Sequence, residues 1–212
     1  MSLIDIHTHQ KTGTTTSLCA IYSDFQNLDT DGVYSLGLHP MMVQSYDAIA
    51  IESAYQAMVK KQVWAIGEVG LDKRNKAYWD LQISLFQQQI EIANALQKPL
   101  IIHCVQAIDV CLLYLKAAQV PVIFHGFRKS LPVAKQLLQH GYYISFGAAL
   151  LQDASLQMCF KQLPLGQLFL ETDDSPIAID EVYETAAKLL QTEIENVILP
   201  IQENFNRVFK LA

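Results

Sequence analysis

Nothing in this sequence is apolar for long enough to cross a membrane as a helix. Its longest apolar runs, such as VILPI at Val197–Ile201, fall far short of the ~20 residues that such a span needs. The start lacks a basic stretch followed by an apolar core, which argues against a secretory leader, and the expected compartment is the cytoplasm. Cysteine is scarce. Cys19, Cys104, Cys111 and Cys159 make no CxxC pair and no zinc-finger spacing, so no disulfide framework is implied and reduced core thiols are expected. Positive charge is in deficit, with 15 Lys and Arg against 21 Asp and Glu and a formal charge of −6. This argues against a broad basic surface, so any nucleic acid must be gripped locally, where bound divalent cations would offset part of the negative charge. No Gly/Ser linker, repeat or low-complexity stretch divides the 212 residues, 51% of them hydrophobic. One well-buried domain over 1–212 is expected, and no feature points to a protein partner.

Against these absences stand six residues able to bind a metal, each near the end of a short apolar run: His7 and His9 in IDIHTH, Glu68 in AIGEVG, His103 in LIIHC, His125 in VIFHG and Asp173 in LFLETD. Runs rich in Val, Ile, Leu and Phe read as buried parallel strands, and a barrel of such strands keeps its chemistry at their carboxyl ends. Strand side chains alternate between faces, so His7 and His9, two apart, project to one side and can chelate one ion. The same alternation sends His103 and Cys104 in opposite directions, leaving the thiol outside the ligand set. A lone histidine in an apolar strand is ordinarily a core residue. Four of them at strand ends, with two carboxylates, point instead to a metal site. His140, before Gly141 at a helix end, reads as a helix-terminal residue.

Eight strands are expected, at Leu3–His9, Leu18–Ser23, Val33–His39, Val63–Gly67, Pro99–Cys104, Val120–His125, Tyr142–Phe146 and Gln167–Glu171. The strongest helical pattern is Ala77–Gln97, with Leu81, Leu85, Ile92 and Leu96 among its apolar positions, and Leu131–His140 stops at Gly141. The class is α/β, a TIM-type (β/α) barrel. Its first two connections, Gln10–Ser17 and Asp24–Gly32, are too short for a helical crossover of about a dozen residues, so the barrel is expected to be trimmed or irregular around the first strands.

The His-x-His opening, GLHP at Gly37–Pro40, GEVGLD at Gly67–Asp72, PLIIH at Pro99–His103, ISFGAAL at Ile144–Leu150, LPLGQLFLETD at Leu163–Asp173 and ENFNRVFKL at Glu203–Leu211 occur in the order of the TatD-related metal-dependent hydrolases. The chain resembles that branch of the amidohydrolase-like barrels along most of its length. By that resemblance, His7, His9 and Asp173 hold one metal, His103 and His125 hold another, and Glu68 bridges the pair. Two divalent ions are therefore implied as cofactors. Imidazoles with two carboxylates favour Zn, Ni, Co or Mn, while Mg remains a candidate for supporting activity. Asp173 is the expected general base and acid beside the reacting water, and Glu68 is the second carboxylate of the catalytic pair.

The expected activity is hydrolysis of phosphodiester bonds in DNA or oligonucleotides, as in a TatD-type deoxyribonuclease, by a metal-bound hydroxide. The substrate would be a nucleic acid or a small phosphodiester. The alternatives are an amidohydrolase acting on an amide, lactone or acyl ester, and a metal-binding protein without catalysis. His39 ends its strand in GLHP, where it can face substrate or pin the turn at Pro40. Two departures concern substrate. Met41 and Met42 stand where this family often has another histidine, and Cys104, Val105 and Gln106 replace a usual basic residue and acid after His103. Replacement positive charge can come from Lys73 and Arg74, or from Arg128 and Lys129.

Overall fold

The computed structural model describes residues 2–10 and 16–210. They fall into two compact units, Met1–Leu18 with Phe124–Ala212, and Cys19–Ile123. All eight expected strands form: β1 Ile4–Thr8, β2 Thr16–Ile21, β3 Tyr34–Leu36, β4 Val63–Asp72, β5 Leu100–Val105, β6 Val122–Phe124, β7 Tyr143–Phe146 and β8 Leu168–Leu170. The helices are α1 Ala48–Met58, α2 Trp79–Leu96, α3 Ile108–Leu115, α4 Leu131–Gln139, α5 Ala154–Phe160, α6 Ile179–Leu190 and α7 Glu195–Phe209. The segment Asp24–Gly32 contains only turns, as its length requires. Residues 11–15 of the other short connection lie outside the described residues. Among the described residues no helix is long and apolar enough to cross a membrane.

In the Cys19–Ile123 unit, β2 pairs with β3, β3 with β4 and β4 with β5, all parallel. Strand β4 runs five residues past the expected Gly67 end, so GLD lies inside the strand. Between Ile66↔Leu100 and Val69↔Ile102, β4 advances three residues while β5 advances two. That extra residue is a bulge, which re-aims the side chain of Glu68. Gly70 then pairs with His103 at such close range that a Cβ on Gly70 would stand 2.1 Å from the His103 carbonyl oxygen, and its φ of +137° suits glycine alone.

The inner face of α2 differs from the expected apolar stripe. Leu81 is exposed, whereas Gln82 and Gln89, one heptad apart, are buried with Leu85, Phe86, Ile90 and Ala93. The cause is backbone satisfaction. Gln82 Oε1 accepts from Asp72 N at 2.8 Å and its Nε2 donates to Asn75 O at 2.8 Å, while Gln89 Oε1 accepts from Leu38 N at 2.6 Å. Two glutamines thus serve peptide groups where β3 and β4 end, groups that no apolar side chain could satisfy.

In the other unit β7 pairs with β8 in parallel, and just beyond β8 Asp173 bridges to Thr8 of β1. Helices brace these strands through buried polar groups. The Tyr183 hydroxyl of α6 donates to Ile4 O at 3.0 Å and accepts from Ile4 N at 3.2 Å. From α7, Asn204 donates to Leu165 O and Leu168 O at 2.8 Å each, which gives the first asparagine of ENFNRVFKL a structural role at the start of β8. Phe146, Phe160, Phe169 and Ile6 fill the core of this unit.

Candidate metal centre

In the first unit, strand ends gather His7, His9, His125, Glu171 and Asp173. His7 is fully buried in β1, and His9 follows the strand. Both point an Nε2 at the same Asp173 Oδ1, at 3.6 Å from His7 and 3.4 Å from His9. The ring of His125, just after β6, lies 4.1 Å from that of His7, centroid to centroid. One ligand atom from each of His7, His125 and Asp173 falls within a 4.8 Å cluster. Asp173 is held by backbone bonds on both sides, Asp173 N to His7 O and His9 N to Asp173 O, both 3.0 Å. Its φ is +56°, a left-handed conformation that Asp tolerates better than most residues.

Glu171, not singled out from the sequence, is fully buried beside this cluster. Its Oε1 accepts from Gly126 N at 2.6 Å and lies 3.7 Å from His125 Nδ1, while its Oε2 has no hydrogen-bond partner. A buried carboxylate oxygen in that position fits a site built for positive charge. Asp5, also buried, accepts from Thr172 N at 3.0 Å and Thr172 Oγ1 at 2.7 Å. Burial nevertheless outweighs those bonds and pushes its carboxyl up to about 7.

In the second unit Glu68 and Asp72 of β4, His103 of β5 and His39 after β3 form another group. Glu68 Oε1 is 2.7 Å from His103 Nδ1 and 3.1 Å from His39 Nε2. One ligand atom from each of His39, Glu68 and His103 falls within 4.8 Å. Of the two roles expected of His39, the structure shows the turn. Its Nδ1 accepts from Met41 N at 3.1 Å, which pins the turn at Pro40. A neutral ring that accepts at Nδ1 carries its proton on Nε2, so His39 donates to Glu68.

The basic residues divide. Arg74 is half exposed, yet its guanidinium forks onto buried Asp72, with Nε 3.0 Å from each carboxylate oxygen and Nη2 against Oδ2. Lys73 lies 5.9 Å over the Trp79 ring. Arg128 is exposed, close enough to Asp153 to help lower that carboxyl behind the turn bonds from Leu156 and Ser155. Asp72 is the other residue that sequence reasoning missed. Its signal was present, because Glu68, Gly70 and Asp72 alternate onto one face of β4.

The donor set of each group, imidazoles with a carboxylate, suits a borderline divalent cation. Comparison with known proteins agrees with this chemistry. The family model described as TatD related DNase matches residues 6–210. A metal-dependent hydrolase of Escherichia coli K12, YjjV, is 32% identical over 152 residues, 68% of this chain and 59% of that protein, so the match spans less than two thirds of the relative. The human 3'-5' RNA nuclease TATDN2 is 31% identical over 149 residues, 66% of this chain and 19% of that protein. The solved structure of YjjV superposes with a TM-score of 0.86 at 22% identity, covering 99% of this chain and 98% of that one. The likeness shows the fold, a TIM-type (β/α) barrel. Motif order, donor chemistry and fold converge, and the chain belongs to the TatD related DNase family of metal-dependent hydrolases.

Proposed function

We propose that this chain hydrolyses phosphodiester bonds in DNA, RNA or short oligonucleotides, with His7, His9, Glu68, His103, His125 and Asp173 as ligands of two divalent ions. One ion belongs with the histidine–Asp173 group and one with Glu68 and His103; Zn, Ni, Co and Mn suit these donors. The observation that carries the reading is the convergence of His7 and His9 on a single oxygen of Asp173. A bound cation supplies Lewis acidity to a phosphoryl oxygen and lowers the pKa of water.

The chain's own groups do the rest. Asp173 is about one-third exposed, so it is open to water and substrate on one side while the strand β1 backbone fixes it on the other. It is the group to accept the proton of the attacking water and return it to the leaving alkoxide. His39 holds Glu68 by its Nε2 proton. Arg128, exposed after His125, is a better candidate than Arg74 to meet a substrate phosphate, since the Arg74 guanidinium already engages Asp72. This local grip suits a chain of net charge −6. A nucleic acid is favoured over an amide or lactone by the family and by the relative described as an RNA nuclease.

The test is a panel of single-stranded DNA, single-stranded RNA, a small phosphodiester, an amide, a lactone and an acyl ester, offered to protein reconstituted with Mn or Zn. Cleavage of the phosphodiesters, lost on chelation, is expected. Turnover of the carbonyl substrates alone would overturn the proposal.

A further inference from the structure

Asp72 is buried to zero exposure, and while the Arg74 guanidinium touches both of its oxygens, each has a further partner of its own. Oδ1 accepts from Arg74 N at 2.9 Å and so caps the short 3-10 turn Lys73–Tyr78 that follows β4. Oδ2 faces the Nε2 of His103 at 3.0 Å and takes Nη2 of Arg74. A turn cap needs only the first oxygen. The second is spent on a histidine whose other nitrogen, Nδ1, is 2.7 Å from Glu68.

The strand register explains how one ring reaches both carboxylates. Gly70 is the register partner of His103, and Glu68 and Asp72 flank Gly70 on the same face of β4. The missing side chain at Gly70 lets the His103 backbone come close, its carbonyl oxygen standing 2.1 Å from where a Cβ would be. Burial alone would raise the Asp72 carboxyl, but hydrogen bonds from His103 and Arg74 outweigh it and hold the group well below the usual carboxylate range.

We propose that Asp72, clamped by Arg74, is the positioning residue of His103: it accepts the ring proton on Nε2, fixes the ring plane, and keeps Nδ1 turned to the Glu68 carboxylate as the atom offered to the cation once its own proton leaves. The inference rests on the reading of Glu68 and His103 as metal ligands. An outer carboxylate that fixes the tautomer and orientation of a ligand histidine generally contributes ~10–100-fold in metal affinity. Arg74, assigned from the sequence to substrate phosphate, acts here one step behind the metal. Its guanidinium completes the acceptor geometry of Asp72 and cannot simultaneously give the same two N–H groups to a phosphate.

Three variants, Asp72→Asn, Arg74→Gln and His103→Ala, test this, with two readouts that need no substrate. One is the Zn dissociation constant by competition with a chelator; the other is the tautomer of His103 in Zn-loaded protein, read from ring 15N shifts. Asp72→Asn keeps an oxygen for the turn cap and places an NH2 opposite Nε2. It is expected to weaken one Zn site ~10–100-fold and to move the His103 proton from Nε2 to Nδ1. A merely structural cap would move neither. Arg74→Gln, changed at a half-exposed position, is expected to shift both readouts in the same direction by less, and it decides the matter if Asp72→Asn loses its near-UV circular dichroism. Unchanged affinity and tautomer in the deciding variant, while His103→Ala loses an ion, would overturn the role of Asp72 and leave the metal reading standing. Retention of both ions by His103→Ala would overturn both.

Discussion

Replacing Gly70 by alanine is the sharpest single perturbation of this site. The added Cβ would sit 2.1 Å from the carbonyl oxygen of His103, whereas real Cβ contacts are essentially never under 3.0 Å. The backbone of β5 at His103 must therefore retreat by about 1 Å, since a strand carbonyl has no rotamer with which to step aside. A second cost is local, because the φ of +137° is a region that an L side chain enters only under strain. Strain of about 1–3 kcal/mol and repacking of about 1–3 kcal/mol give an expected loss of roughly 2–6 kcal/mol. The functional loss should exceed what stability alone implies, because metal–ligand distances tolerate only about ±0.2 Å. Urea unfolding of the metal-free protein measures the first effect, and Zn competition at low temperature, on the fraction that remains folded, measures the second. Gly166→Ala is the control. A Cβ there meets nothing within 4 Å, and the change should lie within about 0.5 kcal/mol of wild type. If Gly70→Ala matches that control in both stability and Zn affinity, the close packing of β4 on β5 is not what sets His103.

Asp173→Asn should keep the fold and part of the metal affinity while phosphodiester turnover at saturating Mn falls by ~10²–10⁴; a near wild-type rate would remove Asp173 from proton transfer. Glu68→Gln should instead weaken metal binding measured by equilibrium dialysis, since it deletes the charge held between His39 and His103. Tyr183→Phe should destabilise by ~1–3 kcal/mol in urea, because both Ile4 N–H and Ile4 C=O lose their buried partner. Burial also raises the Tyr183 hydroxyl well above the ordinary phenol range, so the folded state keeps a proton that the unfolded chain releases. Wild-type stability should therefore be full below pH ~10 and fall as pH rises beyond it, with a shallower fall in Tyr183→Phe.

The strands were legible because a buried parallel strand writes itself as a continuous apolar run, and each of the eight runs in this chain forms one. The fold class followed from their order and from the family motifs. The histidine group of the first unit was legible for a related reason: the spacing of His7 and His9 is a property of one strand, and that spacing brings both rings to Asp173. What could not be read is whatever depends on how the chain is arranged in space. Gln82 and Gln89 look like solvent-facing positions of α2 until the unpaired peptide groups ending β3 and β4 are known to need them. Arg74 looks like a loop cation because its guanidinium is half exposed, and only the buried carboxylate two residues earlier shows where it points.

Glu68 is the instructive intermediate. Its identity as a ligand type is plain in GEVG, but the extra residue in the β4 register means that counting faces from Ile66 across the bulge gives the wrong side. Counting forward from Glu68 instead, through Gly70 to Asp72, stays regular and predicts a second carboxylate on the same face. The period of two was sufficient to find Asp72 once the count began after the irregularity. The residue that sits between those carboxylates comes from another strand, and although LIIHC marks His103 as a ligand type, no local pattern joins it to Glu68 and Asp72. His103 is joined to them by register, and register is fixed by the apolar pairs Ile66 with Leu100 and Val69 with Ile102 on either side of the bulge. The chemistry of this group is therefore set by core packing as much as by its ligands: shift β5 by one residue and Cys104, not His103, faces Glu68.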